Sequence, residues 1–138
     1  MKALEGIKVV YFSKVLAGPL CAQYLGDLGA DVVKVETYKD GDDTRRWPPF
    51  RGTDGTVFLS CNRNKRSIAL DLKSPAGQEI ARKLVRDADV VVESFGPGVA
   101  SLSTATAEVA PVRTAVTTVP SITQSGTPVS SSNNAIRA

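Results

Sequence analysis

Arg63, Lys65 and Arg66 fall within the twelve-residue segment Asn62-Arg63-Asn64-Lys65-Arg66-Ser67-Ile68-Ala69-Leu70-Asp71-Leu72-Lys73. Its second half alternates, with Ile68, Leu70 and Leu72 opposite Ala69, Asp71 and Lys73, the period of a strand. A cationic loop opening into a strand is suited to hold an anionic small molecule. The same cluster also reads as a solvated basic patch. With three cations and no adjacent aromatic stripe, nucleic acid is the weaker partner class. A second charged segment, Gly41-Asp42-Asp43-Thr44-Arg45-Arg46-Trp47, holds a pair of arginines and the only tryptophan. Arginine grips phosphate bidentately and tryptophan stacks on planar rings, but these charges could equally pair among themselves on the surface. A third segment, Val15-Leu16-Ala17-Gly18-Pro19, lacks the Gly-x-Gly-x-x-Gly of dinucleotide sites, which removes most support for NAD. A helix starting there offers free backbone N–H groups to an anion. The plainer reading is that Gly18 and Pro19 shape a tight connection.

Other chemistries are limited by what is missing. The chain has no histidine, so no Ser-His or Cys-His pair can form within it. Cys21 and Cys61 have no metal-ligand spacing and read as reduced thiols of a cytoplasmic protein. Asp71, Asp89 and Glu93 sit at predicted strand ends, where carboxylates mostly cap or pair. A net charge of +3 does not by itself imply nucleic acid. No run of about 18 apolar residues is present to span a membrane, and the first residues lack the apolar stretch of a secretion signal.

The elements that must position these residues follow an alternating pattern. Ile7 to Phe12 reads as a buried parallel strand. A helix is predicted over 19–28 from Leu20, Tyr24, Leu25 and Leu28, with Pro19 in its first turn and Gly29 beyond its end. Asp31 to Glu36 is the next strand, and Thr37 to Phe58 reads as a long ordered loop. Ser67 to Leu72 forms a strand. Ser74-Pro75 starts a helix over 75–87, with Ile80, Ala81, Leu84, Val85 and Ala88 facing inward. Asp89 to Glu93 is the fourth strand. This order predicts an α/β fold, a Rossmann-like parallel sheet flanked by helices, incomplete, over residues 1–98. After Gly98 the character changes: only Glu108, Arg113 and Arg137 are charged in residues 99–138, and Ser, Thr, Ala and Val dominate. That tail reads as irregular, the product of truncation or a frameshift.

Several segments, in order, resemble the N-terminal part of the class III CoA-transferases, the CaiB/BaiF family. They are Leu4-Glu5-Gly6-Ile7, Val15 to Pro19, Leu28 to Glu36, Gly41 to Arg45, Asn62 to Lys73, and Ala88 to Gly98. The resemblance covers about residues 1 to 99 and is not traced into the tail. It implies transfer of CoA between carboxylic acids through acyl-CoA thioesters, with coenzyme A as substrate and no tightly bound cofactor. The family also includes α-methylacyl-CoA racemases, and a non-catalytic CoA-binding remnant is the alternative outside enzymes. By the same resemblance, Val15, Leu16 and Ala17 pack against CoA, Leu70 and Lys73 contact its nucleotide end, and Ser94 and Phe95 stand where the family usually has Asn-Phe. Arg63, Lys65 and Arg66 suit its phosphates. The family's nucleophilic aspartate lies downstream of the matched segments, so these 138 residues alone are expected to be inactive. Full-length members form interlocked homodimers, and this chain is expected to associate weakly at most.

Overall fold

The structure, a computed structural model, describes residues 1–94; Phe95 and the tail over 99–138 lie outside the described residues. Four parallel strands form the main sheet: β1 (Lys8–Tyr11), β2 (Asp31–Thr37), β5 (Arg66–Leu70) and β6 (Val90–Val92), in the order β5-β2-β1-β6. The register pairs Val10 with Val33 and with Val91, and Val33 with Arg66. Helix α1 (Ala17–Asp27) connects β1 to β2, and α3 (Pro75–Arg86) connects β5 to β6.

The strands are apolar because both faces are covered. Val9, Tyr11, Val32 and Val92 form one core with Ala22 and Leu25 of α1. Val10, Val35, Leu70 and Val91 form the other with Ala81 and Val85 of α3. The chain thus steps outward from β1 to β2 to β5, then crosses back over the opposite face to β6. The strand order reverses at the β1/β6 boundary. In open α/β sheets, ligands bind beyond the carboxyl ends of the strands at that point.

Helix α3 starts as the sequence predicts. Ser74 is the N-cap, its hydroxyl accepting from the Gly77 N–H at 3.0 Å, and Pro75 opens the helix. Its inward stripe is Ala81 and Val85 with Leu84 packed alongside, and Ala88, just past its end, is buried in the same core, whereas Ile80 is exposed. Helix α1 departs further from expectation. Of its predicted stripe only Leu25 packs into the core; Tyr24 and Leu28 are exposed, and Gly18, Pro19, Ala22, Gln23 and Gly26 are buried instead. At Gly26 the helix lies too close to its neighbours for any side chain: a Cβ there would stand 2.9 Å from the Asn64 carbonyl.

The span from 37 to 58 is more structured than a loop. It holds a 3₁₀ turn (Asp43–Arg46), a short antiparallel pair, β3 (Phe50–Arg51) and β4 (Asp54–Gly55), and the start of helix α2 (Thr56–Cys61). α2 is rich in β-branched and aromatic residues, which hide a helix from a periodicity reading. Its packing holds it: Phe58 and Cys61 are buried, and the Asn62 amide donates to the Phe58 carbonyl at 2.9 Å.

Candidate coenzyme A site

Two chain segments meet beyond the carboxyl ends of β1 and β6. The Phe12 N–H donates to the Val92 carbonyl, continuing the pairing past Tyr11. The next residue, Ser13, is hydrogen bonded through its hydroxyl to that of Ser94 at 2.7 Å. Val15, Leu16 and Ala17 follow, carrying the chain from this crevice into α1. Gly18 is required here by close approach: a Cβ would lie 2.1 Å from the Ser13 Oγ. No side chain caps the N-terminus of α1. The structure thus gathers Val15, Leu16, Ala17 and Ser94 at the point where the strand order reverses.

Beneath the turn lies a buried network of polar groups. Lys34 points to the α1 face of β2 and is 2% exposed; its Nζ donates to Asp42 Oδ2 at 2.6 Å and to Asn62 Oδ1 at 3.3 Å. The Tyr11 hydroxyl donates to the same Asn62 oxygen at 2.7 Å. Asp42 Oδ1 accepts from the Thr44 N–H, the Thr44 hydroxyl and the Val15 N–H. Glu36, two residues along β2 from Lys34, receives Arg45 on both oxygens, at 2.8 and 2.9 Å, together with the Ser67 hydroxyl and the Asp42 N–H. Burial opposes ionisation of Glu36, but these four donations outweigh it and hold the carboxyl at about 2. Asp42 is likewise lowered: burial works against its charge, and Lys34 and Thr44 prevail. Burial, reinforced by Asp42 and Glu36, pushes the Tyr11 phenol well above its ordinary value.

The cations singled out in the sequence are not brought together as one phosphate loop. Arg63 pairs with Asp27 at the end of α1, at 2.6 Å, and Arg66 reaches back to Asp31 at the start of β2. The Lys65 Nζ turns inward and donates to the Pro19 and Cys61 carbonyls, each at 2.6 Å, and to the Tyr11 hydroxyl at 3.2 Å. Burial, with Lys34 nearby, lowers Lys65 to about 8. In the 41–47 segment, Arg45 bonds Glu36 and Asp54 and lies 3.7 Å from the Phe58 ring centroid, while Arg46 pairs with Asp40 and Asp43. Only Arg46–Asp43 pairs within that segment; Asp42 and Arg45 find Lys34, Glu36 and Asp54 outside it, with Asp42 and Thr44 buried, so the segment is tied into the fold by ion pairs instead of lying as a solvated loop. Leu70 is buried in the α3 core. Lys73 is exposed in the β5–α3 connection, its N–H donating to Asp71 Oδ1. Among the described residues, no group of three or more His, Cys, Asp or Glu could hold a metal ion, and no helix is long and apolar enough to cross a membrane.

The network was missed in the sequence because Lys34 and Glu36 look like the polar face of a half-exposed strand. The sequence signal that could have found it is Asp42-Asp43-Thr44, in which Asp42 is the N-cap of the 3₁₀ turn and accepts from the Thr44 N–H and hydroxyl.

The sequence matches CoA-transferase family III over residues 4–118. The chain belongs to that family. It is 52% identical over 99 residues to the human succinyl-CoA:glutarate CoA-transferase, an alignment covering 71% of this chain and 23% of the relative. It is 48% identical over 99 residues to a formyl-CoA:oxalate CoA-transferase of Bradyrhizobium, with the same coverage. Among solved structures, a CaiB/BaiF family protein from Brucella suis is 46% identical, with a TM-score of 0.68 over 72% of this chain and 28% of that one. The chain thus spans about a quarter of the length of these family III relatives.

Proposed function

We propose that this chain is the CoA-binding N-terminal part of a cytoplasmic CoA-transferase that moves CoA between carboxylic acids through acyl-CoA thioesters. The observation that carries the reading is the convergence of Val15, Leu16, Ala17 and Ser94 beyond β1 and β6, in a chain of this family. The relatives' names, succinyl-CoA:glutarate and formyl-CoA:oxalate CoA-transferase, support a carboxylate–thioester exchange. In this reading the turn and the uncapped start of α1 take the CoA chain. Lys73 takes a phosphate, two strands from β1, or about 10 Å along the sheet edge at about 4.8 Å per strand. Arg63 and Arg66 keep their ion pairs, and Lys65 keeps its carbonyls. The acyl-carrying carboxylate implied by the family resemblance lies outside these segments, so the 138 residues bind without turnover.

The test is calorimetric titration of the purified chain with coenzyme A. K73A should weaken binding about tenfold, the loss of one charge-assisted hydrogen bond, and R66A should leave it within about twofold. No binding by the unmodified chain, or a larger loss from R66A than from K73A, refutes the assignment. Transfer of CoA from any acyl-CoA donor at about 1 per second or faster refutes the absence of turnover.

A further inference from the structure

Val15 is a β-branched residue with φ of +69°, a conformation such residues rarely adopt unless the surroundings impose it. It stands between β1 and α1, where its backbone sets the direction in which Leu16 and Ala17 leave the crevice. Its N–H donates to Asp42 Oδ1 at 3.4 Å, across 27 residues of sequence. Asp42 is fully buried and bonded on both oxygens: Lys34 holds one at 2.6 Å, and the Thr44 N–H and hydroxyl hold the other at 3.0 and 2.7 Å. Lys34 is in turn fixed by Asn62, which the Tyr11 hydroxyl and the Phe58 carbonyl anchor. A rigid buried acceptor thus faces the N–H of the one strained residue in the ligand-side turn.

We infer that Asp42 is the positioning residue of the CoA-facing turn, its Oδ1 holding Val15 in the left-handed conformation that aims Val15, Leu16 and Ala17 at the ligand. This rests on the CoA-binding reading above. Asp42 lies beneath the turn and does not itself meet the ligand. Its contribution is to keep the turn in its binding geometry before the ligand arrives, which reduces the ordering that binding must impose.

Two readouts on the full 138-residue chain test this. The first is hydrogen exchange of the Val15 amide, read by NMR without ligand. K34M/D42L removes both buried charges without leaving either unpaired, and should abolish protection at Val15 while the amides of α3 stay protected. D42N, which retains an acceptor at Oδ1, should keep Val15 protected even where global stability falls. The second is a double-mutant cycle in coenzyme A affinity. K34M/D42L should weaken binding about tenfold in the native background but less than about twofold in the V15G background, because glycine adopts positive φ unaided. Equal losses in both backgrounds, or unchanged Val15 protection in K34M/D42L, overturn the inference. Should the unmodified chain bind no coenzyme A, the functional reading fails, and the exchange experiment still decides whether Asp42 holds the turn.

Discussion

Replacing Glu36 with glutamine removes one charge from a buried cluster while leaving its volume nearly unchanged. The side chain is 4% exposed and accepts four hydrogen bonds, two of them from Arg45. Its carboxyl is held at about 2 against an ordinary 4.5. At about 1.4 kcal/mol per pH unit, that gap corresponds to about 3 kcal/mol of stability. The value agrees with the 3–5 kcal/mol typically lost, as a rough guide, when one partner of a buried ion pair is removed. Because the folded carboxyl is the stronger acid, the contribution is complete above 4.5 and disappears as pH falls from 4.5 toward 2. E36Q also leaves Asp54, at 3.0 Å, as the one carboxylate paired with Arg45. Against a total stability on the order of 5–15 kcal/mol, the loss is large. Urea unfolding at pH 7 should show the midpoint of E36Q lower by about 1–3 M. The separation from the unmodified chain should narrow steadily on acidification to pH 2.5. Coincident midpoints at pH 7, or a separation independent of pH, would refute the argument.

Three further outcomes follow from named contacts. G18A places a Cβ against the Ser13 hydroxyl and should destabilise the fold by about 1–3 kcal/mol, read as a lower thermal midpoint with the Ser13–Ser94 contact disrupted. S74A removes the N-cap of α3 and should cost about 1 kcal/mol, measured by urea unfolding at neutral pH, where a change below about 0.3 kcal/mol contradicts it. Lys65, lowered to about 8 from 10.5, is protonated in folded and unfolded chains alike below pH 8, and above it the folded chain releases its proton first. Stability attributable to this group should therefore rise between about pH 8 and 10. K65M should lack that component, and identical pH profiles for the two proteins would count against it.

The strands, α3 and the family membership were legible in the sequence because each depends on neighbouring residues. Runs such as Lys8-Val-Val-Tyr and Val90-Val-Val mark strands covered on both faces, and Ser74-Pro75 marks a helix start by its own hydrogen bonding and fixed φ. The motif at residues 15–19 located the turn into α1. Tertiary structure decided which face of each element is buried and which charges are available. Tyr24 and Leu28 have helical spacing yet face outward, because the face α1 buries is the one carrying Gly18, Pro19, Ala22, Gln23 and Gly26, where close approach at Gly18 and Gly26 leaves no room for a Cβ. Arg63 finds Asp27 across 36 residues, and Arg66 finds Asp31 across 35, so a local cationic cluster becomes two separate ion pairs. Lys65 was indistinguishable from its neighbours by residue type, yet carbonyls from two distinct segments draw it inside. Residue type and spacing encode what a segment can do alone; the partners of a charge, and the strain at Val15, exist only once distant segments share one interior.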